Sequence, residues 1–237
     1  MILIFDLFGT LVQVISMDFN RGLRSLWEEH YKDRCPFEEI KAYGEELYGF
    51  MLEQNRKGLE FPFVSEELPL YAQKFGGDII RMSAEEEAGF LMLCNEVRIC
   101  EGLPEMLGSF RKENIPMYVL SNSGFTAGAL SIMLDSLGIG HYFEKVWSSA
   151  DFGRIKPDKD FFEMAVLGIQ EKYPKITKDD IIYTGDTYFT DIAGAHNAGI
   201  RCVWIDLEDE PDEYGYAAYQ IKDITGLSAK VMSLIRK

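Results

Sequence analysis

The sequence predicts an α/β fold, a doubly wound parallel sheet that carries an inserted domain of helices. Residues 1–5 are apolar without alternation, which is typical of a strand buried on both faces of a parallel sheet. From about Gln13 to Arg98, charged residues interleave with large apolar residues at three- and four-residue spacing, which indicates helices. After Gly102, short apolar runs alternate with helical segments, as they do in a doubly wound sheet.

The composition is that of an ordinary globular protein. Of 237 residues, 47% are hydrophobic and 27% are charged, and the formal net charge is -15. A nucleic-acid partner is not expected, because affinity for a phosphate backbone comes from Lys and Arg, and an anionic membrane surface is disfavoured for the same reason. A small anionic substrate is compatible with this charge, since salt screens surface charges beyond about 8 Å and local groups then decide.

The cysteines and the N-terminus indicate a cytoplasmic protein. Cys35, Cys94, Cys100 and Cys202 form no C-x-x-C pair and are too sparse for a disulfide framework, so reduced thiols are expected. A buried strand begins at once, without a cleavable leader, and no apolar stretch of 18 residues follows. The sequence does not distinguish a monomer from a homodimer.

Four helices are predicted in the inserted segment. Because these helices follow a single buried strand, the sequence predicts a helical cap of residues 13–98 on a core made of residues 1–12 and 99–237. Phe61-Pro62-Phe63 between them is interpreted as packing of the bundle rather than as a substrate pocket. The helix-start signals are Asp18 for a helix toward Tyr31, Pro36 in the first turn of the second helix, Ser65, and Ser83 with Glu86 as a capping box.

The second part of the chain predicts the remaining sheet. Apolar, β-branched runs predict the strands, and three- and four-residue apolar spacing predicts the helices between them, one of which Gly138 ends. The predicted strands are 117–120, 145–148, 181–184, 201–205 and 218–221, and the predicted helices are 103–113, 125–137, 161–171, 192–198 and 227–235.

Two further features carry weaker signals. The segment 206–213, DLEDEPDE, contains six acids and is expected to be a solvated loop, with a cation site as the alternative. His30, His141 and His196 have no metal-ligand spacing and are interpreted as packing or surface residues.

Polar side chains follow four predicted strands at their carboxyl ends, where parallel sheets bind ligands. They are Asp6, Ser121, Lys156, and Asp186 with Asp191. This set suits attack of a carboxylate on a phosphoryl group, which needs a divalent cation, a fixed ammonium and hydrogen-bond donors to overcome repulsion between anions. The three aspartates would suit Mg²⁺, Lys156 would hold the carboxylate and the phosphate, and Ser121 with the amides after it would donate hydrogen bonds.

These motifs resemble the haloacid dehalogenase superfamily, in the branch with a helical cap between the first and second motifs. The matching stretches are Asp6-Leu-Phe-Gly-Thr10, Ser121-Asn122, Lys156-Pro157-Asp158, and Gly185-Asp186 with Asp191 in a run that ends at Gly199. The resemblance implies that Asp6 is the nucleophile, with Ser121 and Lys156 as catalytic partners. It places Phe8, Gly9, Thr10 and Asn122 against the substrate. It also assigns Asp6, Asp186, Asp191 and the backbone carbonyl of Phe8 to an Mg²⁺ site.

Phe8 departs from the phosphatases of this family, which carry a second Asp there to protonate the leaving oxygen and to activate water. Such acid-base help is typically worth about 10² to 10⁴ in rate. Members that cleave carbon–halogen bonds carry an aromatic residue at this position, because a halide leaves without a proton. Phe8 therefore favours a dehalogenase.

The other motifs favour a phosphatase. The metal-independent dehalogenases replace the acids of the fourth motif and place an Arg in the first cap helix, whereas Asp186 and Asp191 are kept here. The Trp27-Glu28-Glu29-His30 stretch has acids where that Arg would fall, although Arg21, Arg24 and Arg34 are near.

The hypothesis is therefore an Mg²⁺-dependent phosphatase that acts on a small phosphorylated metabolite through an aspartyl-phosphate on Asp6. The alternatives are a 2-haloacid dehalogenase-like hydrolase and a catalytically weak, phosphate-binding member. A receiver-type sensing domain is disfavoured, because receivers have no helical insertion after the first strand. Individual residues also have plainer interpretations: Ser121, Asn122 or Asp191 as helix caps, and Lys156 as a loop lysine.

Overall fold

The computed structural model describes residues 1–235, with side chains up to residue 231. Six strands form one parallel sheet in the order β5-β4-β1-β6-β7-β8, and two further strands form an antiparallel ribbon. The predicted parallel sheet is thus confirmed. The strands are β1 (Ile2–Phe5), β2 (Val12–Met17), β3 (Asn95–Ile99), β4 (Met117–Ser121), β5 (Lys145–Ser148), β6 (Ile181–Gly185), β7 (Arg201–Ile205) and β8 (Tyr219–Ile221).

Strand β1 lies at the centre of the sheet and fixes the position of Asp6. Leu3 pairs with Met117 of β4, and Ile2 pairs with Ile181 of β6. Every residue of β1 is buried, because helices cover both faces of the sheet. Leu3 and Phe5 belong to one apolar layer and Ile2 and Ile4 to the other, as the two-residue period of a strand requires.

Ten α-helices accompany the strands within residues 1–235. Four of them, with a π-helical turn at Trp27–Tyr31 and another at Phe63–Glu67, pack around their own apolar core between β2 and β3. The boundaries of this cap domain at residues 12 and 99 stay a prediction. The helices are α1 (Phe19–Leu26), α2 (Phe37–Arg56), α3 (Leu68–Phe75), α4 (Ala84–Cys94), α5 (Leu103–Lys112), α6 (Ala127–Ser136), α7 (Ser149–Phe152), α8 (Lys159–Lys172), α9 (Gly194–Asn197) and α10 (Gly226–Ile235).

The ribbon β2–β3 corrects the prediction of helices throughout residues 13–98. Val12 pairs with Ile99 and Met17 with Asn95, with a register shift between Val14 and Ser16. Most side chains of β2 are exposed, so this strand shows no alternation of buried and exposed residues that the sequence could reveal. The two strands of the ribbon are also far apart in the sequence. The backbone N–H and C=O groups of each strand form their ladder hydrogen bonds only when the other strand is present.

Three of the four predicted helix starts in the cap are confirmed. Asp18 accepts a hydrogen bond from the amide of Asn20, Pro36 precedes α2 directly, and Ser83 forms a capping box with Glu86. The prediction for Ser65 is wrong, because the turn already begins after Pro62, whose carbonyl accepts hydrogen bonds from the amides of Glu66 and Glu67.

The core elements follow the predicted order, with small shifts at their ends. The helix predicted at 192–198 is a π-helical turn, Tyr188–Ala193, followed by the short α9. The helix predicted at 125–137 begins only at Ala127, because Thr126 caps it by accepting from the amide of Ala129. Within the described residues, no helix is long and apolar enough to span a bilayer, and the four cysteines are free.

Candidate active site

A buried ammonium group links two of the strand-end carboxylates. Lys156 Nζ lies 2.6 Å from Asp6 Oδ1 and 2.7 Å from Asp191 Oδ1, and the Lys156 residue is 1% exposed. The hydroxyl of Tyr183 accepts from Lys156 Nζ at 2.9 Å and donates to Asp191 Oδ1 at 2.8 Å. Hydrogen bonds thereby fix three groups, from three different segments, around the positive charge of Lys156. Tyr183 is a member that the sequence analysis missed, although a tyrosine inside an apolar strand signals a hydroxyl in need of a partner.

Asn122 holds the loop that carries Lys156. The amide of Lys156 donates to Asn122 Oδ1 at 2.7 Å, and Asn122 Nδ2 donates back to the Lys156 carbonyl at 3.1 Å. The peptide bond from Lys156 to Pro157 is cis. Both polar atoms of the Asn122 side chain are therefore engaged within the protein.

Ser121 ends β4 and is fully buried, and its hydroxyl donates to the carbonyl of Asn122 at 3.4 Å. Neither Ser121 nor Asn122 caps a helix, since Thr126 is the cap of α6. Asp191 is not a helix cap either: its carboxylate accepts from Lys156, from Tyr183, and from the amide of Thr187 at 3.0 Å.

The loop after Asp6 brings the backbone close to Asp186. Gly9 has a φ of +92°, and a Cβ built there would lie 2.2 Å from Asp186 Oδ2. A side chain at this position is therefore excluded by both conformation and space. Thr10 is also buried and is 1% exposed. The ring of Phe8 is partly buried and points into a cavity beneath the cap.

Three carboxylates share this site. One oxygen each of Asp6, Asp186 and Asp191 lies within 4.8 Å of the other two. Burial raises the pKa of Asp6 to about 7; the Lys156 charge opposes this rise, and the Asp191 and Asp186 charges add to it. Burial and the charge of Asp191 also raise the pKa of Asp186. Burial alone would lower the pKa of Lys156, but the Asp191 and Asp6 carboxylates raise it, so Lys156 stays charged.

The donor set fits a hard divalent cation. Three carboxylates in one small volume repel each other, and Lys156 supplies a single positive charge against them. Carboxylate oxygens are the ligands that Mg²⁺ prefers. The bare backbone at Gly9 leaves space beside Asp186 that a side chain would fill. The residues present therefore match the requirements of an Mg²⁺ site.

A cavity of about 290 Å³ lies between the cap and the loops of the core. Phe61 and Phe63 both line it and both belong to the buried core of the bundle. Packing and pocket lining, which the sequence analysis treated as alternatives, are thus combined in these two residues.

The arginines near the first cap helix do not reach this cavity. Arg21 pairs with Asp18, Arg24 lies 4.0 Å from the ring centre of Phe37, and Arg34 packs beside Gly77. Among the described lining residues there is no arginine, lysine or histidine.

The acidic segment 206–213 is a largely exposed loop, as expected. Three of its acids bind groups of the protein: Asp206 accepts from the amides of Glu208 and Glu210, Asp209 pairs with Lys222 at 2.9 Å, and Asp212 accepts from the hydroxyl of Tyr188. The three histidines are exposed, and His196 stacks on Tyr216, with ring centres 4.2 Å apart.

Comparison with known proteins gives the family. The family described as haloacid dehalogenase-like hydrolase matches residues 3–205. The pyrimidine 5'-nucleotidase PynA of Streptococcus pneumoniae (strain ATCC BAA-255 / R6) is 26% identical over 232 residues, 94% of this chain and 92% of PynA. The pyrimidine 5'-nucleotidase YjjG of Escherichia coli (strain K12) is 29% identical over 122 residues, 50% of this chain and 51% of YjjG.

Solved structures share the fold. The 2-haloacid dehalogenase of Pseudomonas syringae pv. Tomato DC3000 has a TM-score of 0.67 and 19% identity, with 99% of this chain and 100% of that chain covered. At this identity the likeness supports the fold alone. Since the family match spans most of the sequence, the chain belongs to the haloacid dehalogenase-like hydrolases.

Proposed function

We propose that this hydrolase is an Mg²⁺-dependent phosphatase that acts on small phosphomonoesters through an aspartyl-phosphate on Asp6. The observation that carries the proposal is the position of Lys156 Nζ, which lies 2.6 Å from Asp6 and 2.7 Å from Asp191, with Asp186 beside them. An ammonium group and a cluster of metal-binding acids around one carboxylate are what attack on a phosphate anion requires. The relatives PynA and YjjG, named as nucleotidases, support the same reaction class.

The proposed reaction begins at the ionised Asp6. An oxygen of this carboxylate attacks phosphorus, and the bond from phosphorus to the leaving oxygen breaks, with its electron pair passing to that oxygen. Lys156 favours the ionised form of Asp6 and orients it through their 2.6 Å contact. Asp6, Asp186, Asp191 and the Phe8 carbonyl would hold Mg²⁺, which supplies positive charge for the phosphoryl oxygens when it is bound. Water then hydrolyses the aspartyl-phosphate.

Phe8 shapes the substrate range, because its side chain cannot donate a proton to the leaving oxygen. Acyl and aryl phosphates release a stable anion and need little protonation, so we expect them to react faster than alkyl phosphates. For an alkyl phosphate the proton must come from water, from the substrate or from a residue of the cap.

A dehalogenase is the second candidate, and Phe8 is the observation that favours it. A 2-haloacid carries a carboxylate, which needs a positive partner. The cavity beside Phe8 has no basic residue among its described lining residues, and the retained Asp186 would repel the substrate. These features favour the phosphatase.

A substrate screen tests the proposal. Acetyl phosphate, p-nitrophenyl phosphate, nucleoside monophosphates and 2-chloropropionate are incubated with Mg²⁺ or with EDTA, and released phosphate or chloride is measured. We expect phosphate release with Mg²⁺ and its loss with EDTA. Chloride release that EDTA does not affect, without phosphate release, would overturn the proposal.

A further inference from the structure

The cavity beneath the cap is continuous with the loops that carry the proposed chemistry. Phe8, which lies two residues after Asp6, contributes one wall. Ser123 and Gly124, which follow Ser121 and Asn122, contribute another. The amide of Phe63 donates to the Gly124 carbonyl at 2.8 Å and ties the cap wall to the core wall. The leaving group of a phosphate bound near Asp6 would therefore lie next to this cavity.

The walls are aromatic and hold each other in place. Phe63 of the cap and Phe125 of the core lie with ring centres 5.5 Å apart, and Phe63 stacks on Phe90 at 4.3 Å. Phe61 packs against Phe50 at 5.1 Å. Rings fixed in this way offer flat apolar faces, and such faces favour a flat aromatic ring over a flexible polar chain. The volume of about 290 Å³ is near the lower end for small-molecule sites, which run from about 300 to 1,000 Å³.

The charge of the cavity selects against an anionic occupant. No lysine, arginine or histidine is present among its described lining residues, while Glu67 contributes a carboxyl group. A second phosphate or a carboxylate on the leaving group would find no positive partner and would lose its hydration. A group without negative charge is therefore the better fit.

Glu67 leaves one oxygen free for this occupant. Its Oε1 accepts from the hydroxyl of Tyr71 at 3.3 Å, whereas Oε2 has no hydrogen-bond partner among the described residues. Burial raises the pKa of Glu67 to about 7, so the carboxyl accepts hydrogen bonds at neutral pH in either protonation state. Gly44 lets Leu23 and Tyr71 pack close to the backbone of α2, because a Cβ there would lie 2.5 Å from Leu23 Cδ1 and 3.1 Å from the Tyr71 hydroxyl oxygen.

We propose that this cavity binds a flat, uncharged heteroaromatic ring on the leaving group, and that Glu67 Oε2 accepts a hydrogen bond from an N–H on the edge of that ring. The inference rests on the proposed phosphatase function, since it names the class of phosphomonoester. Glu67 is then a specificity-determining residue that acts on the leaving group and takes no part in the attack on phosphorus.

Three phosphates separate ring recognition from chemistry. Uridine 5'-monophosphate and ribose 5-phosphate both release a primary alcohol on a ribose, but only the first carries a heteroaromatic ring. N3-methyluridine 5'-monophosphate keeps the ring and removes its N–H. We expect kcat/KM for uridine 5'-monophosphate to exceed that for ribose 5-phosphate at least about tenfold, and methylation to remove about tenfold. Equal kcat/KM for the first two substrates overturns the proposal.

Variants assign the effect to Glu67. We expect Glu67→Leu to lower the ratio of kcat/KM for uridine 5'-monophosphate to that for its N3-methyl analogue from about ten to about one. Glu67→Gln, whose amide oxygen still accepts, should keep most of the ratio. The matched control is Glu66→Gln, which changes an exposed neighbour and should leave the ratio as in the wild type. An unchanged ratio in Glu67→Leu contradicts the role of this residue.

Measuring the binding of uridine tests this inference independently of the proposed phosphatase function. Uridine carries the ring but no phosphate, so its affinity, measured by calorimetry, does not depend on turnover. Uridine binding that Glu67→Leu weakens supports the inference even if acetyl phosphate and the nucleotides are not hydrolysed, in which case only the phosphatase proposal fails. Phosphate release from acetyl phosphate without uridine binding or ring preference overturns the inference alone.

Discussion

The charged cluster at the strand ends and the apolar cavity beneath the cap meet at Phe8, but they are built in opposite ways. In the cluster, buried charges compensate each other at short range: Lys156 Nζ contacts Asp6 and Asp191 at 2.6 and 2.7 Å. In the cavity, aromatic rings form the walls and Glu67 is the only described acid in the lining. The cluster is suited to one reaction, whereas the cavity is suited to select what that reaction acts on.

The junction between the regions also uses buried acids of the cap. Glu87 of α4, which is 2% exposed, accepts hydrogen bonds from the amide and the hydroxyl of Thr126, the residue that caps α6. Glu60 accepts from the hydroxyl of Ser149 and from the amide of Phe61. Cap and core are thus connected through the chain segments that follow β4 and β5, so a change at the junction affects both regions.

The largest expected effect is in the charged cluster. Lys156→Met removes the charge that favours ionised Asp6 and leaves Asp6 and Asp191 without their shared partner. We expect kcat for acetyl phosphate at pH 7.5 to fall about 10³-fold, as for loss of a group that stabilises transition-state charge. Lys159→Met, which breaks only the exposed pair with Glu163, is the control and should retain activity. A loss of less than about tenfold in Lys156→Met would contradict this assignment.

The next effect is at Phe8, where the two regions meet. Phe8→Asp restores a proton donor beside the nucleophile and should raise kcat for ribose 5-phosphate about 10²-fold, with less gain for acetyl phosphate, whose leaving group needs no proton. Phe8→Leu is the control, because it changes the cavity wall without supplying an acid. Equal kcat in Phe8→Asp and Phe8→Leu would show that the missing acid is supplied elsewhere.

At the junction, Glu87→Ala should reduce stability. The amide of Thr126 loses its 2.8 Å partner, and the hydroxyl loses its charged acceptor. Loss of hydrogen bonds to a charged group costs about 1.5 to 3 kcal/mol, so we expect the free energy of unfolding in urea to fall by about 2 kcal/mol. Glu85→Ala in the same helical turn is exposed and should change it little. Equal losses of unfolding free energy in the two variants would contradict a stabilising role for the hydrogen bonds between Glu87 and Thr126.

The smallest effect is the pH dependence at Glu67. Its pKa is about 7 in the folded protein and 4.5 in the reference state, so the folded state holds more protons between these values. Stability from this group is present below pH 4.5 and is lost as the pH rises through 7.

Such a shift corresponds to about 3 kcal/mol for a fully desolvated group, and access of solvent to the cavity reduces this to about 1 kcal/mol. Glu67→Gln should remove that part of the pH dependence of the unfolding free energy, whereas Glu66→Gln should not. If the unfolding free energy of Glu67→Gln had the same pH dependence as that of the wild type from pH 4 to 8, the raised pKa of Glu67 would be contradicted.

The strand ends could be predicted from the sequence, because Asp6 follows directly on an apolar run and the other polar groups lie at the ends of later apolar runs or in the loops after them. Once the sheet is parallel, Asp6, Lys156 and Asp191 must lie at the same edge, and the structure joins them by hydrogen bonds. Tyr183 escaped prediction because the sequence does not indicate which buried hydroxyl faces the site. The engagement of Asn122 with the Lys156 backbone likewise depends on two loops that meet only in the fold.

The cavity and the ribbon could not be predicted in the same way. Phe8, Phe63 and Phe125 line one space although they are far apart in sequence, and each alone is an ordinary apolar residue. Strands β2 and β3 depend on each other across the whole cap, and the mostly exposed side chains of β2 give no alternating pattern. Tertiary packing, rather than local preference, decides both features.

The most direct test of the central claim is transfer of the phosphoryl group to Asp6. Wild type and Asp6→Asn are mixed with Mg²⁺ and ³²P-labelled acetyl phosphate, quenched in acid, and treated with hydroxylamine, which releases acyl phosphates. We predict labelled wild-type protein, loss of the label with hydroxylamine, and no label on Asp6→Asn. Phosphate release by the wild type without a label on the protein, or a label retained on Asp6→Asn, would contradict the assignment of Asp6 as the nucleophile.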